Sequence, residues 1–160
     1  MKTIASICLL LISTAVLAET TNLYTAAEIA AIKTYTVSEV QNQYKEIGSN
    51  TVIRVKFNHM PLSKRREDGS YLVYLSDEEA SMYAIVSGEG KGYQDRIEKD
   101  ERSHHETGNY GTNPIRYMYC TVVRSGLVYK LTGTDASEPV LRCLGTTTTH
   151  QADGKEIISW

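Results

Sequence analysis

The sequence predicts a mainly β protein of the α+β class, with a helical lead, five principal strands and one helix between the third strand and the fourth. Three observations carry this expectation. Residues 51–57 alternate, with Ile53, Val55 and Phe57 on one side and Arg54, Lys56 and Asn58 on the other. That is the period-two pattern of a half-buried strand. Two strand–turn–strand patterns follow, one around the polar run 76–81 and one around Ser125-Gly126,. Between them, Asp95 with Lys99 and Glu98 with Arg102 place opposite charges four apart, the spacing of a solvated helix,.

The chain has 160 residues, 41% of them hydrophobic and 22% charged, which suits one globular domain. Eleven tyrosines accompany a single Phe and a single Trp. The core must therefore come from Val, Ile, Leu and Tyr. Tyrosine combines ring area with a hydroxyl and suits half-buried sheet faces. Residues 1–18 read as a secretory signal peptide: Lys2, an apolar run over 4–12, and Val16-Leu17-Ala18 before the expected cleavage point,. The run is too short for a permanent membrane span. Cys8 lies inside it rather than at its end, so no lipid anchor is expected. Cleavage after Ala18 removes one lysine and no acid, and the net charge moves from −2 to −3. The expected location is periplasmic or secreted. A mildly acidic chain lacks the overall basic field of a non-specific nucleic-acid binder, so nucleic acid is not an expected partner. Two cysteines remain, Cys120 and Cys143, and in an oxidising compartment they are expected to form a disulfide bond,.

In order, residues 19–35 form a lead with a short helix expected over 26–32. Thr36 and Glu39 have capping-box spacing. Val37, Val40, Tyr44 and Ile47 then fall at steps of three and four, so a short amphipathic helix is expected over 37–47,. Gly48 is expected to end it as a left-handed cap. After the strand 51–57 comes a loop, 58–70. Its basic cluster Lys64-Arg65-Arg66 is answered by Glu67-Asp68, and Asp68-Gly69 signals a turn,. Strands 71–75 and 82–86 make the first hairpin. The glycine-rich run 88–92 lacks the context of a phosphate loop. In the helix expected over 93–105, Tyr93 and Ile97 make a narrow apolar stripe. His104 and His105 point about 100° apart on a helix and cannot easily ligate together. His59 and His150 are distant in sequence, so no metal site is expected.

The longest strand is expected over 115–124. Ile115, Tyr117, Tyr119, Thr121 and Val123 share one side of it, and Arg116, Met118, Cys120, Val122 and Arg124 the other,. Residues 127–131 are its expected return strand. A further strand is expected over 140–144, and 157–160 is a last short pairing element after the turn at Asp153-Gly154.

This order of elements resembles the five-stranded OB-fold barrel. The chain is similar to small exported bacterial OB-fold proteins, including the tRNA-anticodon-binding-like group. There a short helix of the type Val37-Ser-Glu-Val40 to Tyr44 leads into a Val-rich first strand like 52–57. The resemblance covers residues 36–135. It implies a five-stranded OB-like barrel domain there, with a C-terminal extension over 136–160 that the Cys120–Cys143 bridge would tether. It also implies ligand binding on the second and third strands. Tyr71, Tyr74 and Tyr83 are the candidate stacking platform, with Arg54 and Lys56 nearby and Lys64, Arg65 and Arg66 in the loop beside it. The plainer alternative is that these tyrosines pack or cover the barrel. The loop between the fourth and fifth strands is only Ser125-Gly126, so one wall of the usual groove is missing.

Ser125-Gly126-Leu-Val-Tyr129 resembles the Ser-Gly-x-x-Tyr fragment of periplasmic C-type lysozyme inhibitors. The Trp-Thr-Lys-Gly run of that family is absent. Asp77, Glu78 and Glu79 sit on an expected hairpin tip without convergent partners, and no calcium-binding nuclease set can be assembled. Trp160 is the kind of terminal residue seen in outer-membrane barrels, but only one strand reaches the roughly 9–11 residues a span needs. The expectation is a non-enzymatic exported binding protein of the cell envelope. It takes a protein partner or small ligand and no cofactor. The competing expectation is a lysozyme-type inhibitor acting through the Ser125-Gly126 turn.

Overall fold

The computed structural model describes residues 23–61, 63–107, 113–123 and 139–160. The first two helices both start from a reciprocal cap. In α1 (Ala26–Ala31), the Thr25 hydroxyl accepts from the Glu28 N–H at 3.2 Å, and the Glu28 carboxylate accepts from the Thr25 N–H at 2.7 Å. In α2 (Val37–Gln43), Thr36 and Glu39 repeat the exchange at 3.1 and 2.7 Å, as their spacing predicts. Val37 and Val40 are fully buried. The expected cap at Gly48 is not formed. The helix closes at Tyr44, and the left-handed residue is Asn50, at φ 69°. Asparagine tolerates that region through its short polar side chain, so the left-handed residue falls two positions later than expected.

α3 spans Gly88–Glu106, begins five residues earlier than its charge spacing predicts, and is capped by the Ser87 hydroxyl, which accepts from the Gly90 N–H at 3.2 Å. Ile97 is buried and Tyr93 packs against the core, as the apolar stripe requires. Asp95 pairs with Lys91, one turn back, rather than with Lys99.

Seven strands form one mixed sheet: β2 (Thr34–Thr36), β3 (Val52–Phe57), β4 (Ser63–Arg65), β5 (Tyr71–Ser76), β6 (Ser81–Val86), β7 (Arg116–Val123) and β8 (Val140–Gly145). Their spatial order is β2-β3-β7-β8-β6-β5-β4. The β5–β6 hairpin forms as expected, Tyr71 to Ser76 against Val86 to Ser81. The sheet is not a closed barrel; it ends at β2 and β4. Residues 58–61 nevertheless lie along β5. Asn58 and His59 donate to the Ser76 carbonyl, Ser76 donates back to His59, and Tyr74 donates to Pro61.

The strand expected over 140–144 is not an appendage. It is β8, and it lies between β7, antiparallel, and β6, parallel. The return strand expected over 127–131, the Ser125-Gly126 turn and the signal over 1–18 lie outside the described residues. One face of the sheet holds the core, where Ile53, Val55, Phe57, Met118, Val122, Leu141 and Ala84 are buried with Val37, Val40 and Ile97.

Cys120 and Cys143 face each other in register between β7 and β8. The expected bond is not formed here: both are buried free thiols with sulfurs 3.3 Å apart, against about 2.05 Å for a disulfide.

A second sheet has the order β1-β10-β9, with β1 at Leu23–Thr25, β9 at Thr147–His150 and β10 at Lys155–Ser159. The expected turn at Asp153-Gly154 closes its hairpin, with Gly154 at φ 81°. This tail returns tightly to the main body. A Cβ on Gly145 would lie 2.2 Å from the Ser159 carbonyl oxygen, and one on Gly90 would lie 2.6 Å from the Trp160 ring. Trp160 also packs beside Tyr93, with ring centroids 6.1 Å apart.

Candidate functional site

The seven strands of the main sheet carry Arg54, Lys56, Lys64, Arg65, Arg116 and Arg142, and no Asp or Glu. The chain as a whole has more acids than bases. Charge is therefore segregated: among the described residues, acids are kept to helices, turns and the small sheet, and six, for example, lie on α3. Strand alternation then divides the cations between the two faces of the sheet.

On the face opposite the core, Arg54 stands beside Thr34 and Tyr119, Lys56 beside Thr36 and Tyr117, and Arg142 beside Thr121 and Ile85. Cross-strand neighbours of this kind touch directly. The Arg54 guanidinium donates to the Thr34 hydroxyl at 2.9 Å and lies 5.0 Å from the centre of the Tyr117 ring, within cation–π range. Arg54, Arg142 and Tyr117 are exposed, and Tyr119 and Lys56 are half-buried. Of the large hydrophobic side chains that are exposed among the described residues, Ile115 (57%) and Tyr117 (43%) are consecutive outward positions on one stretch.

The expected ligand set is only partly assembled. Arg54, Lys56, Lys64, Tyr74 and Tyr83 do share this face. Tyr74 and Tyr83 are register partners with ring centroids 4.2 Å apart. Lys64 stands opposite Leu72, which is buried with Ile85, Val140 and Tyr83. In the sheet, β7 and β8 intervene between β3 and β6, so the tyrosines beside Arg54 and Lys56 are Tyr117 and Tyr119 instead.

Three expected members are misplaced. Tyr71 is an odd number of residues from Tyr74, so it points to the core face and packs there,. Arg65 is its register partner and leaves the outer face with it. Arg66 is engaged in its own turn, with Asp68 at 2.9 Å and Ser70 at 2.9 Å. Tyr117, Tyr119, Thr121 and Arg142 are the residues that sequence reasoning missed. The alternation over 115–123 places the first three together, but nothing local says which strand they adjoin.

A cleft of about 270 Å³ opens at one end of this face, where Lys56, Phe57 and Ile115 approach the β5–β6 tip at 77–79. Asp77 belongs to the scaffold. Its carboxylate accepts from the backbone N–H groups of Ser38, Glu79 and Ala80 at 2.7 to 2.9 Å, tying the tip to the start of α2. Burial raises its pKa, but the backbone donors, Ser38 first, outweigh that and hold it below the ordinary 3.8,. Glu78 and Glu79 are exposed beside the cleft.

A second polar group sits under α3. Glu101 lies 3.5 Å from His59 and 3.9 Å from Arg116, Asn113 reaches the His59 ring at 2.7 Å, and Arg116 donates to the Asn58 carbonyl at 3.0 Å. These contacts tie the bend at 58–61 to α3 and β7. No nucleophilic side chain is placed against His59 among the described residues. Nor is any group of three or more His, Cys, Asp or Glu placed to hold a metal ion among them. No helix among the described residues is long and apolar enough to cross a membrane.

Fold and site together define a mixed α+β protein with a basic, tyrosine-bearing outer sheet face. Comparison with protein-family models, curated proteins and solved structures finds no match.

Proposed function

We propose that this is a non-enzymatic, exported binding protein of the cell envelope, and that the outer face of β3, β7 and β8 takes a negatively charged region of its partner. The observation that carries the reading is the absence of any Asp or Glu from the seven strands, whose outer face bears Arg54, Lys56, Lys64 and Arg142. A one-signed field of this kind steers and orients a partner of opposite sign. Tyrosine and arginine side by side are also the residue types that dominate contact energies at protein interfaces.

An OB-like arrangement is part of the proposal. Its support is that β3 adjoins β7, while the bend at 58–61 and then β4 adjoin β5. Counted with β3 and β4 as one, the strands are that pair, β5, β6, β7 and β8, with α3 between the third and fourth. The third and fifth of these strands are parallel neighbours, and the other pairs are antiparallel. The binding side proposed is the first, fourth and fifth strands, not the second and third. Export through residues 1–18 and a Cys120–Cys143 bond formed after export complete the reading.

The test is titration of the mature protein with polyglutamate at low and physiological salt. Binding that weakens about tenfold in the R54E/R142E double variant, and weakens with salt, is expected. Equal binding by that variant overturns the assignment of the face.

A further inference from the structure

The acidic tip and the basic face meet at one cleft. Lys56 belongs to both, and Glu78 and Glu79 flank the cleft from the opposite side. Asp77 is spent on backbone donors, so Glu78 and Glu79 are the carboxylates that present charge outward. Ile115, exposed, lies in the same cleft, and Tyr117 follows it on the face. A uniform polyanion laid along Arg54, Lys56 and Arg142 would meet two like charges at this end. Like-charge juxtaposition at an interface is strongly unfavourable, so the surface discriminates against single-sign polymers such as nucleic acid. A polypeptide can change sign along its length.

From this we infer that the partner is a protein presenting a segment of split charge. Its acidic residues lie over Arg54, Lys56 and Arg142, an apolar side chain rests on Ile115, and a basic residue answers Glu78 and Glu79. The inference rests on the basic face being the binding face, and it adds the chemistry of the occupant.

The experiment uses fluorescence anisotropy with four labelled probes: a peptide of about twelve residues with acidic, apolar and basic blocks, a scrambled peptide of the same composition, polyglutamate, and single-stranded oligo-dT. Each is titrated against the mature protein and against the R54E/R142E and E78K/E79K variants. All four substituted side chains are exposed, and circular dichroism checks that each variant is folded. The block peptide is expected to bind the unsubstituted protein most tightly and to lose about fivefold or more in either variant. Polyglutamate and oligo-dT are expected to weaken with R54E/R142E and to strengthen with E78K/E79K. If E78K/E79K strengthens the block peptide as well, or leaves it unchanged, the split-charge partner is overturned while the basic face stands. If R54E/R142E affects no probe, or no probe binds, the face and the inference both fall.

Discussion

Replacing Gly90 by alanine tests whether the C-terminal tail is seated on α3. In an unobstructed helix position this change stabilises by up to about 1 kcal/mol, because alanine loses less backbone entropy than glycine. Here the added methyl would lie 2.6 and 2.7 Å from the Trp160 ring and 2.7 Å from the Val86 Cβ. The indole can rotate away, at the loss of its place beside Tyr93. The Val86 Cβ is fixed to β6 and cannot yield alone. Overpacking of this kind costs about 1–3 kcal/mol, so the net change is a loss of up to about 2 kcal/mol. Gly92 supplies the control two residues further along the same helix, because a Cβ there meets nothing within 4 Å. Its alanine variant is expected to gain about 0.5–1 kcal/mol. The two variants should therefore move in opposite directions in urea denaturation, followed by far-UV dichroism and by emission of Trp160, the single tryptophan. In a W160A background the Gly90→Ala cost should shrink, since the two sites share one contact. If Gly90→Ala stabilises as much as Gly92→Ala, the tail does not dock on α3 as described.

Gly145→Ala should be more damaging than Gly90→Ala, about 3 kcal/mol or more, because its methyl would meet backbone rather than side chain, 2.2 Å from the Ser159 oxygen,; thermal denaturation measures this. Asp77→Asn should cost about 1 kcal/mol, the size of a lost helix cap. It should also flatten the acid limb of the stability profile. The folded pKa of Asp77 is depressed, so its contribution is fully present above the unfolded value and is lost as pH falls through the folded one, below 3.8,. A denaturation series from pH 7 to pH 2 that gives parallel curves for both proteins would remove that role. In reduced protein, Cys120 and Cys143 should resist thiol reagents until the protein is denatured. Burial first, and then the Cys143 neighbour, push the Cys120 thiol well up,. Protein exported into an oxidising compartment should instead yield no thiol even when denatured. Closing a loop between residues 23 apart should add about 3 kcal/mol,, and two free thiols in such protein would refute the bond.

Local patterns were legible because local chemistry decides them. Thr36 with Glu39, the alternation over 51–57, the hairpin at 76–81 and the turns at Gly69 and Gly154 are all visible within a few residues of sequence. The early start of α3 was not. Three glycines in its first turns argue against a helix, and the reason Gly90 is tolerated, the Trp160 ring, lies 70 positions away. The place of β8 was hidden for a related reason. Val140 to Leu144 reads equally well as a tail strand or a central one, and only its parallel pairing with β6 decides. The candidate site divides along the same line. Arg54 and Lys56 could be read from alternation, whereas Tyr117, Tyr119 and Arg142 became their neighbours through strand order. Net charge misled most, because an average over the chain conceals a sheet without acids.

The bend at Asn58 puts β3, next to the margin at β2, and β4, the opposite margin, on one stretch of chain. Residues 52–57 are held by β7, and 58–61 and 63–65 by β5, and the Glu101–His59–Arg116 contacts clamp the joint. Neither margin can fray without tugging on the other. Amide hydrogens on both sides should therefore exchange with solvent as one cooperative unit, at a common free energy of opening, while those of the small β1-β10-β9 sheet exchange separately and sooner.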